Sequence, residues 1–168
     1  MHDAGLLMNL FKMLNEGKLD MAKFQQMLTR AVVQENAASR AGIWFYYGDL
    51  QDTLTCTSLY DASDNQWTSG DSLHEDDHHA YFETLRESRV IVAADARENA
   101  ATSCFNENYL EPLNIYSRMD VVVEVDGAQM GVISCEQTAQ IREWTQPDLQ
   151  FLQQAAAALG LAIKKCGI

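Results

Sequence analysis

The sequence predicts an α+β sandwich, and three features lead there. Residues 119–135 alternate apolar and polar side chains on both sides of Asp126-Gly127, a dipeptide suited to the positive φ angles of a two-residue hairpin turn. Two further strand-like runs, RAGIWFYY at 40–47 and the Thr-, Leu- and Tyr-rich 53–60, lie on either side of the break at Gly48-Asp49. Helical periodicities stand at both ends of the chain and do not alternate one for one with the strands.

Taken in order, Leu6, Leu7, Leu10, Phe11 and Leu14 define a short amphipathic helix closed by Gly17. Asp20 caps a longer helix running to about Ser39, with Met21, Phe24, Leu28, Ala31 and Val32 on one face. After the first strand pair, residues 61–71 read as a polar loop anchored by Trp67, long enough to cover a site. Ser72 and Glu75 are spaced as a capping box for a helix through Tyr81, Phe82 and Leu85. A short strand at 90–94, a loop at 95–101 and a short helix through Phe105 and Tyr109, capped by Thr102 or Ser103 and ended by Pro112, follow.

In the long hairpin, Met119, Val121 and Val123 share one face and Asp120 and Val122 the other; Met130, Val132 and Ser134 alternate with Gly131, Ile133 and Cys135 on the return. A last short strand is expected around Ile141. Thr145, Pro147 and Asp148 open a helix closed by Lys164, Lys165 and Gly167. Its two apolar stripes, one through Leu152 and Leu159 and one through Phe151 and Ala155, exceed what one sheet covers. The N-terminal helices or the same helix of a second subunit must take the rest. The expected core contains Trp44, Phe82, Leu85, Val121, Val123, Val132, Ile133, Leu152 and Leu159.

Bulk properties exclude several functions. With 168 residues the chain suits one ordinary domain, and a formal charge of −12 repels nucleic acid and anionic membranes. No stretch is long and apolar enough to span a bilayer and the N-terminus is not basic, so a cytoplasmic location is expected. Cys56, Cys104, Cys135 and Cys166 are scattered without zinc spacing and read as free thiols. His74, Asp76, His78 and His79 have the one spacing that suits a metal on a helix face. An acidic first turn complementing the helix dipole accounts for the same letters, so no metal is expected.

Several segments together resemble a known family. They are Ser39-Arg40 with Ile43-Trp44, AYFETLRESRVIVAADAR at 80–97, YLEPLNIYSRMDV at 109–121, GVISCE at 131–136 and REWTQPD at 142–148. In order and spacing they are similar to a GAF domain of the type at the front of bacterial sensor kinases and cyclases, over about residues 20 to 165. The resemblance implies a GAF/PAS-like sandwich: a central antiparallel sheet of about six strands, terminal helices on one face, and short helices and loops over a pocket on the other. Residues 1–18 would form a helical extension and 19–168 the domain. The sequence departs from the family pattern at Asn114, where glycine is usual, at Val122, where proline is usual, and at Gln137, where histidine is frequent. The signature of cyclic-nucleotide-binding members and a cysteine-histidine pair for bilin attachment are both missing from the sequence, so no cofactor is expected.

Tyr81, Phe105, Tyr109 and Met119 are the candidates for lining a small-molecule pocket. Arg40, Asp120, Glu136 and Arg142 match recurrent charged positions within or beside apolar strands, where charges survive only when paired, and are candidates for structural ion pairs. The function expected is a sensory or regulatory module without catalysis, signalling through terminal helices of a homodimer to a kinase or cyclase output domain. The alternatives are a dimerisation module whose pocket is filled by its own side chains, and a cysteine-dependent methionine sulfoxide reductase, whose cysteine-bearing loop pattern does not occur here.

Overall fold

The computed structural model describes residues 2–168. Helix α1 (Ala4–Asn15) is capped by Asp3 and α2 (Met21–Asn36) by Asp20, whose carboxylate accepts from the Lys23 amide at 2.8 Å. Strands β1 (Arg40–Tyr47), β2 (Thr53–Asp61), β3 (Gln66–Thr68) and β4 (Ser72–His74) follow. Then come helix α3 (His79–Ser88), strand β5 (Val90–Ala93), the hairpin β6 (Ile115–Val125) and β7 (Ala128–Thr138), and helix α4 (Gln146–Cys166). The strands pair antiparallel in the order β3-β2-β1-β7-β6-β5, with β4 also on β2.

The hairpin turns at Asp126 (φ 51°) and Gly127 (φ 83°), both left-handed, and lies at the centre of the sheet. Its alternation divides two cores. Met119, Val121, Val123, Ile133 and Cys135 meet α1, α2 and α4 on one face. On the other, Val122 and Val132 join Trp44, Tyr81, Phe82, Leu85 and Phe105 beneath α3 and the 95–114 segment. Helix α4 rests directly on β6: a Cβ on Gly160 would stand 2.4 Å from the Glu124 carbonyl oxygen, so glycine permits the contact.

Three local expectations give way to tertiary pairing. Residues 61–71 hold a strand, β3, and Trp67 on it donates to the Gln26 carbonyl of α2 at 3.0 Å. At Trp67 this segment closes the helix-side core, and only its last residue, Asp71, reaches the pocket on the other face. The Ser72/Glu75 capping box does not form, because Ser72 lies in β4 opposite Thr55; a 3₁₀ turn at Glu75–Asp77 precedes α3. No strand forms at Ile141, which is half exposed in the loop before α4.

The family departures at two positions have local causes. Asn114 sits at φ 59°, where asparagine tolerates the left-handed backbone that glycine usually takes. Val122 donates its amide to the Arg89 carbonyl at 3.0 Å, a bond proline could not make.

The expected apolar excess of α4 is covered largely within the chain. Leu10, Leu28, Ala155 and Leu159, expected to need a shared bundle, are all buried among α1, α2 and α4. What stays open is an apolar groove of about 270 Å³ between α1 and α4, lined by Leu7, Met8, Phe11 and Leu161. Met8 is 66% and Leu161 52% exposed.

Candidate functional site

The site face is built on one row of the sheet. Antiparallel register sets Arg40 of β1 opposite Glu136 of β7, and Glu136 opposite Arg118 of β6, so the row alternates cation, anion, cation. Asp120 stands two residues from Arg118 on the same strand, hence on the same face. All four side chains are buried.

Arg118 is the centre of this arrangement. Its Nε donates to both Asp120 oxygens at 2.9 and 3.1 Å, Nη2 to Asp120 Oδ1 at 3.0 Å, and Nη1 to Glu136 Oε2 at 2.9 Å. The guanidinium lies 5.2 to 5.6 Å from the ring centres of Phe105, Tyr109 and Tyr81, within cation–π range. Tyr81 donates its hydroxyl to Asp120 Oδ1 at 2.7 Å and Tyr109 donates to Glu136 Oε1 at 3.1 Å. Arg40 completes the row, its Nε 3.7 Å from Glu136 and 3.6 Å from Asp61. Burial alone would lower the Arg118 pKa, but Asp120, Tyr81 and Glu136 outweigh it and hold the group above its ordinary value. Burial raises the Tyr81 phenol, and Asp120 adds to the shift. The hydroxyls therefore serve as hydrogen-bond donors to the carboxylates.

Outside this network lies a cavity of about 300 Å³, bounded by Trp44, Asp71, Leu73, His78, Phe105 and Tyr109. Local folding explains its walls. The chain turns from β4 through 3₁₀ geometry into α3, which lays the His78 ring on Phe105 at 4.6 Å between centres. A 3₁₀ turn at Ser103–Phe105 running into a π turn at Asn106–Leu110 brings Phe105 and Tyr109 over the sheet. Thr102 supports that turn from below, donating its hydroxyl to the Ala96 carbonyl at 2.6 Å rather than capping it. Burial lowers the His78 pKa although Asp77 opposes the shift, and its Nδ1 is buried without a hydrogen-bond partner.

The pocket candidates thus separate. Phe105 and Tyr109 line the cavity, Tyr81 lies deeper against Asp120, and Met119 lies on the opposite face of the sheet among the terminal helices. Met119 is corrected for a simple reason: it is one residue from Asp120 on an alternating strand. Among the charged candidates, Arg40, Asp120 and Glu136 converge on Arg118. Arg142 does not join them. It lies beside Trp144, donates to the Asn36 carbonyl at 2.6 Å and to Asp148 at 3.2 Å, and ties the end of α2 to the start of α4. The 74–79 spacing does not fall on one helical face, because α3 begins only at His79; Glu75 is engaged by Arg86.

Sequence reasoning missed Arg118, and it weighed His78 only as a metal ligand, not as a wall of the cavity. Arg118 and Asp120 occupy alternate positions in an otherwise apolar strand, a pattern that marks a paired buried charge. His78 carried no such signal, since its place in the wall depends on where α3 begins.

Solved structures share this architecture. The chain superposes on the phycocyanobilin-bound GAF domain of a cyanobacterial phytochrome with a TM-score of 0.80 and 15% identity, covering 98% of this chain and 95% of that one. A phycoerythrobilin-bound GAF domain from a cyanobacterial phytochrome gives 0.81 and 15%, covering 98% of this chain and 96% of that one. The chromophore-binding domain of the Stigmatella aurantiaca bacteriophytochrome gives 0.69 and 12%, covering 95% of this chain and 59% of that one. No curated protein matches by sequence. The sequence profile of the GAF domain matches residues 20–163, which span both hairpins, the Arg118 row and most of α4. With sheet, helices and profile in agreement over that length, the chain belongs to the GAF domain family.

Proposed function

We propose that this domain is a small-molecule sensor in bacterial signal transduction, located in the cytoplasm. Its ligand occupies the 300 Å³ cavity, and its output passes through the terminal helices of a homodimer to a kinase or cyclase domain. The observation that carries this reading is the continuity from cavity to helices. Tyr109 both lines the cavity and donates to Glu136, Glu136 holds Arg118 on β6, and β6 supports α4 through the close contact at Gly160. A ligand that moves Tyr109 changes the partners of a buried carboxylate, which a packed sheet passes on rather than absorbs.

The cavity favours a ligand smaller than a bilin. A linear tetrapyrrole carries four rings and two carboxylates, while the cavity is at the lower limit for drug-sized ligands. The cation behind it, Arg118, is committed to Asp120 and Glu136. Catalysis through cysteine gains no support: burial pushes the thiols of Cys56 and Cys135 up to about 12 and raises that of Cys104, and Cys166 stands at the end of α4 away from the cavity.

One observation favours a second reading, a dimerisation module without ligand. The Arg118 side chain fills much of the space between sheet and aromatic turns. Native mass spectrometry of freshly purified protein separates the two. A dimer carrying a small-molecule adduct supports sensing, a bare dimer supports dimerisation alone, and a bare monomer rejects both.

A further inference from the structure

We propose that a second site, a groove at one end of the sheet, takes a free α-amino acid, with Arg40 receiving its carboxylate and Asp61 its ammonium group. The groove, of about 480 Å³, lies where β1 begins and where β2 and β7 end, beside the turn at Asn114 that leads into β6. It shares no lining residue with the cavity beside Phe105 and is a site whatever fills that one. Charge is the first argument. Among the described residues, its lining holds one cation, Arg40, and one carboxylate, Asp61, and is otherwise uncharged. A simple anion would gain Arg40 but meet Asp61 and a chain of charge −12, and a simple cation would gain Asp61 but meet Arg40. A zwitterion satisfies both and adds no net charge.

Hydrogen bonding points the same way. Arg40 is 8% exposed, yet among the described residues no hydrogen bond holds its guanidinium. Its two carboxylate neighbours, Asp61 and Glu136, stand 3.6 and 3.7 Å from Nε, beyond hydrogen-bond distance, and Nε is enclosed without an acceptor. Nη1 and Nη2 are neither bonded nor enclosed, so the forked end of the guanidinium opens on the groove, the end that holds a carboxylate through two parallel N–H bonds. Ser39 adds a donor: its Oγ accepts from the Thr138 amide at 3.0 Å and the Thr138 hydroxyl at 3.1 Å, which leaves its own proton for a ligand. Asp61 is the acceptor. Its Oδ1 accepts from the Ser63 amide and hydroxyl at 2.9 and 2.7 Å, while Oδ2, 3.6 Å from Arg40, accepts no hydrogen bond among the described residues. Opposite charges this close match a molecule that carries its own two on adjacent carbons. Ala38, Ala62 and Leu113 give the groove an apolar wall for a short aliphatic side chain.

Three probes of one skeleton test the class: L-valine, isovalerate, which lacks the ammonium group, and isobutylammonium, which lacks the carboxylate, each titrated calorimetrically into the full chain. Valine is expected to bind at least about tenfold more tightly than either. It should shift the amide resonances of Ser39, Asn114 and Thr138 and leave those of Leu73 and His78 in place. Asp61→Asn, at a side chain 35% exposed, should bring valine down to the level of isovalerate. Leu113→Glu, at an exposed position that folding does not depend on, sets a carboxylate on the wall and should weaken valine at least about tenfold. If isovalerate or isobutylammonium binds as tightly as valine, the α-amino acid class is wrong. Valine binding that survives both substitutions, or shifts confined to Leu73 and His78, overturns the placement. If valine does not bind, the proposal fails, and the native mass spectrum still decides separately whether the cavity beside Phe105 holds a ligand.

Discussion

Replacing Arg118 by Met would leave the Asp120 and Glu136 carboxylates buried without their cation. Breaking such a pair from one side costs about 3–5 kcal/mol, so urea denaturation should show a loss of that size, and a loss under about 1 kcal/mol would contradict the network. Arg118→Lys should recover little, because an ammonium cannot reproduce the forked contacts to two carboxylates. Asp148 gives a prediction in pH. Desolvation works to raise its pKa, but hydrogen bonds from Thr145 and the charges of Arg142 and His2 hold it below its ordinary value of 3.8. A depressed carboxylate stabilises the fold above the unfolded-state value and loses that contribution as pH falls through the folded one. The stability difference between the native protein and Asp148→Asn should therefore be full at neutral pH and shrink below about pH 4 in acid denaturation series.

At the scale of elements, the seat of α4 on β6 makes an inverted prediction. Gly→Ala inside a helix ordinarily gains about 1 kcal/mol, yet Gly160→Ala would drive a methyl group against the Glu124 backbone and should destabilise. A raised melting temperature for Gly160→Ala would show that α4 can lift away at no cost. Val123 and Leu152 are fully buried on the two sides of that contact, and either change to Ala should cost about 1 to 5 kcal/mol through the cavity left behind. Much of this was legible beforehand. Val121 and Val123 facing one way and Asp120 and Val122 the other follow from a period of two, and the Asp126-Gly127 turn follows from the φ angles those residues permit. Trp67 was legible as an anchor but the strand that carries it was not, because a three-residue strand is recognised by its partner, β2, and not by its own letters.

For the whole molecule, the groove between α1 and α4 is the surface proposed for the homodimer. Light scattering at micromolar concentration should report a dimer, and Leu161→Glu or Met8→Glu should give a folded monomer with unchanged helical signal. Both side chains are more than half exposed in the single chain, so the substitutions cost the protomer little. A wild-type protein that stays monomeric when concentrated tenfold removes the proposed route from cavity to output.

The sequence alone determined what depends on near neighbours along the chain: the helices with their caps at Asp20 and Thr145, the central hairpin, and the assignment of its residues to two faces. It also marked Arg40, Asp120 and Glu136 as charges that apolar strands could hold only in pairs. Which groups pair was decided by the fold, because Arg40, Glu136 and Arg118 become neighbours only through the register of β1, β7 and β6. The same holds for Arg142, drawn to the end of α2 and away from the site, and for His78, placed in the cavity wall because β4 delays the start of α3. Periodicity reports which face a side chain occupies; only register and the packing of layers report what it meets there.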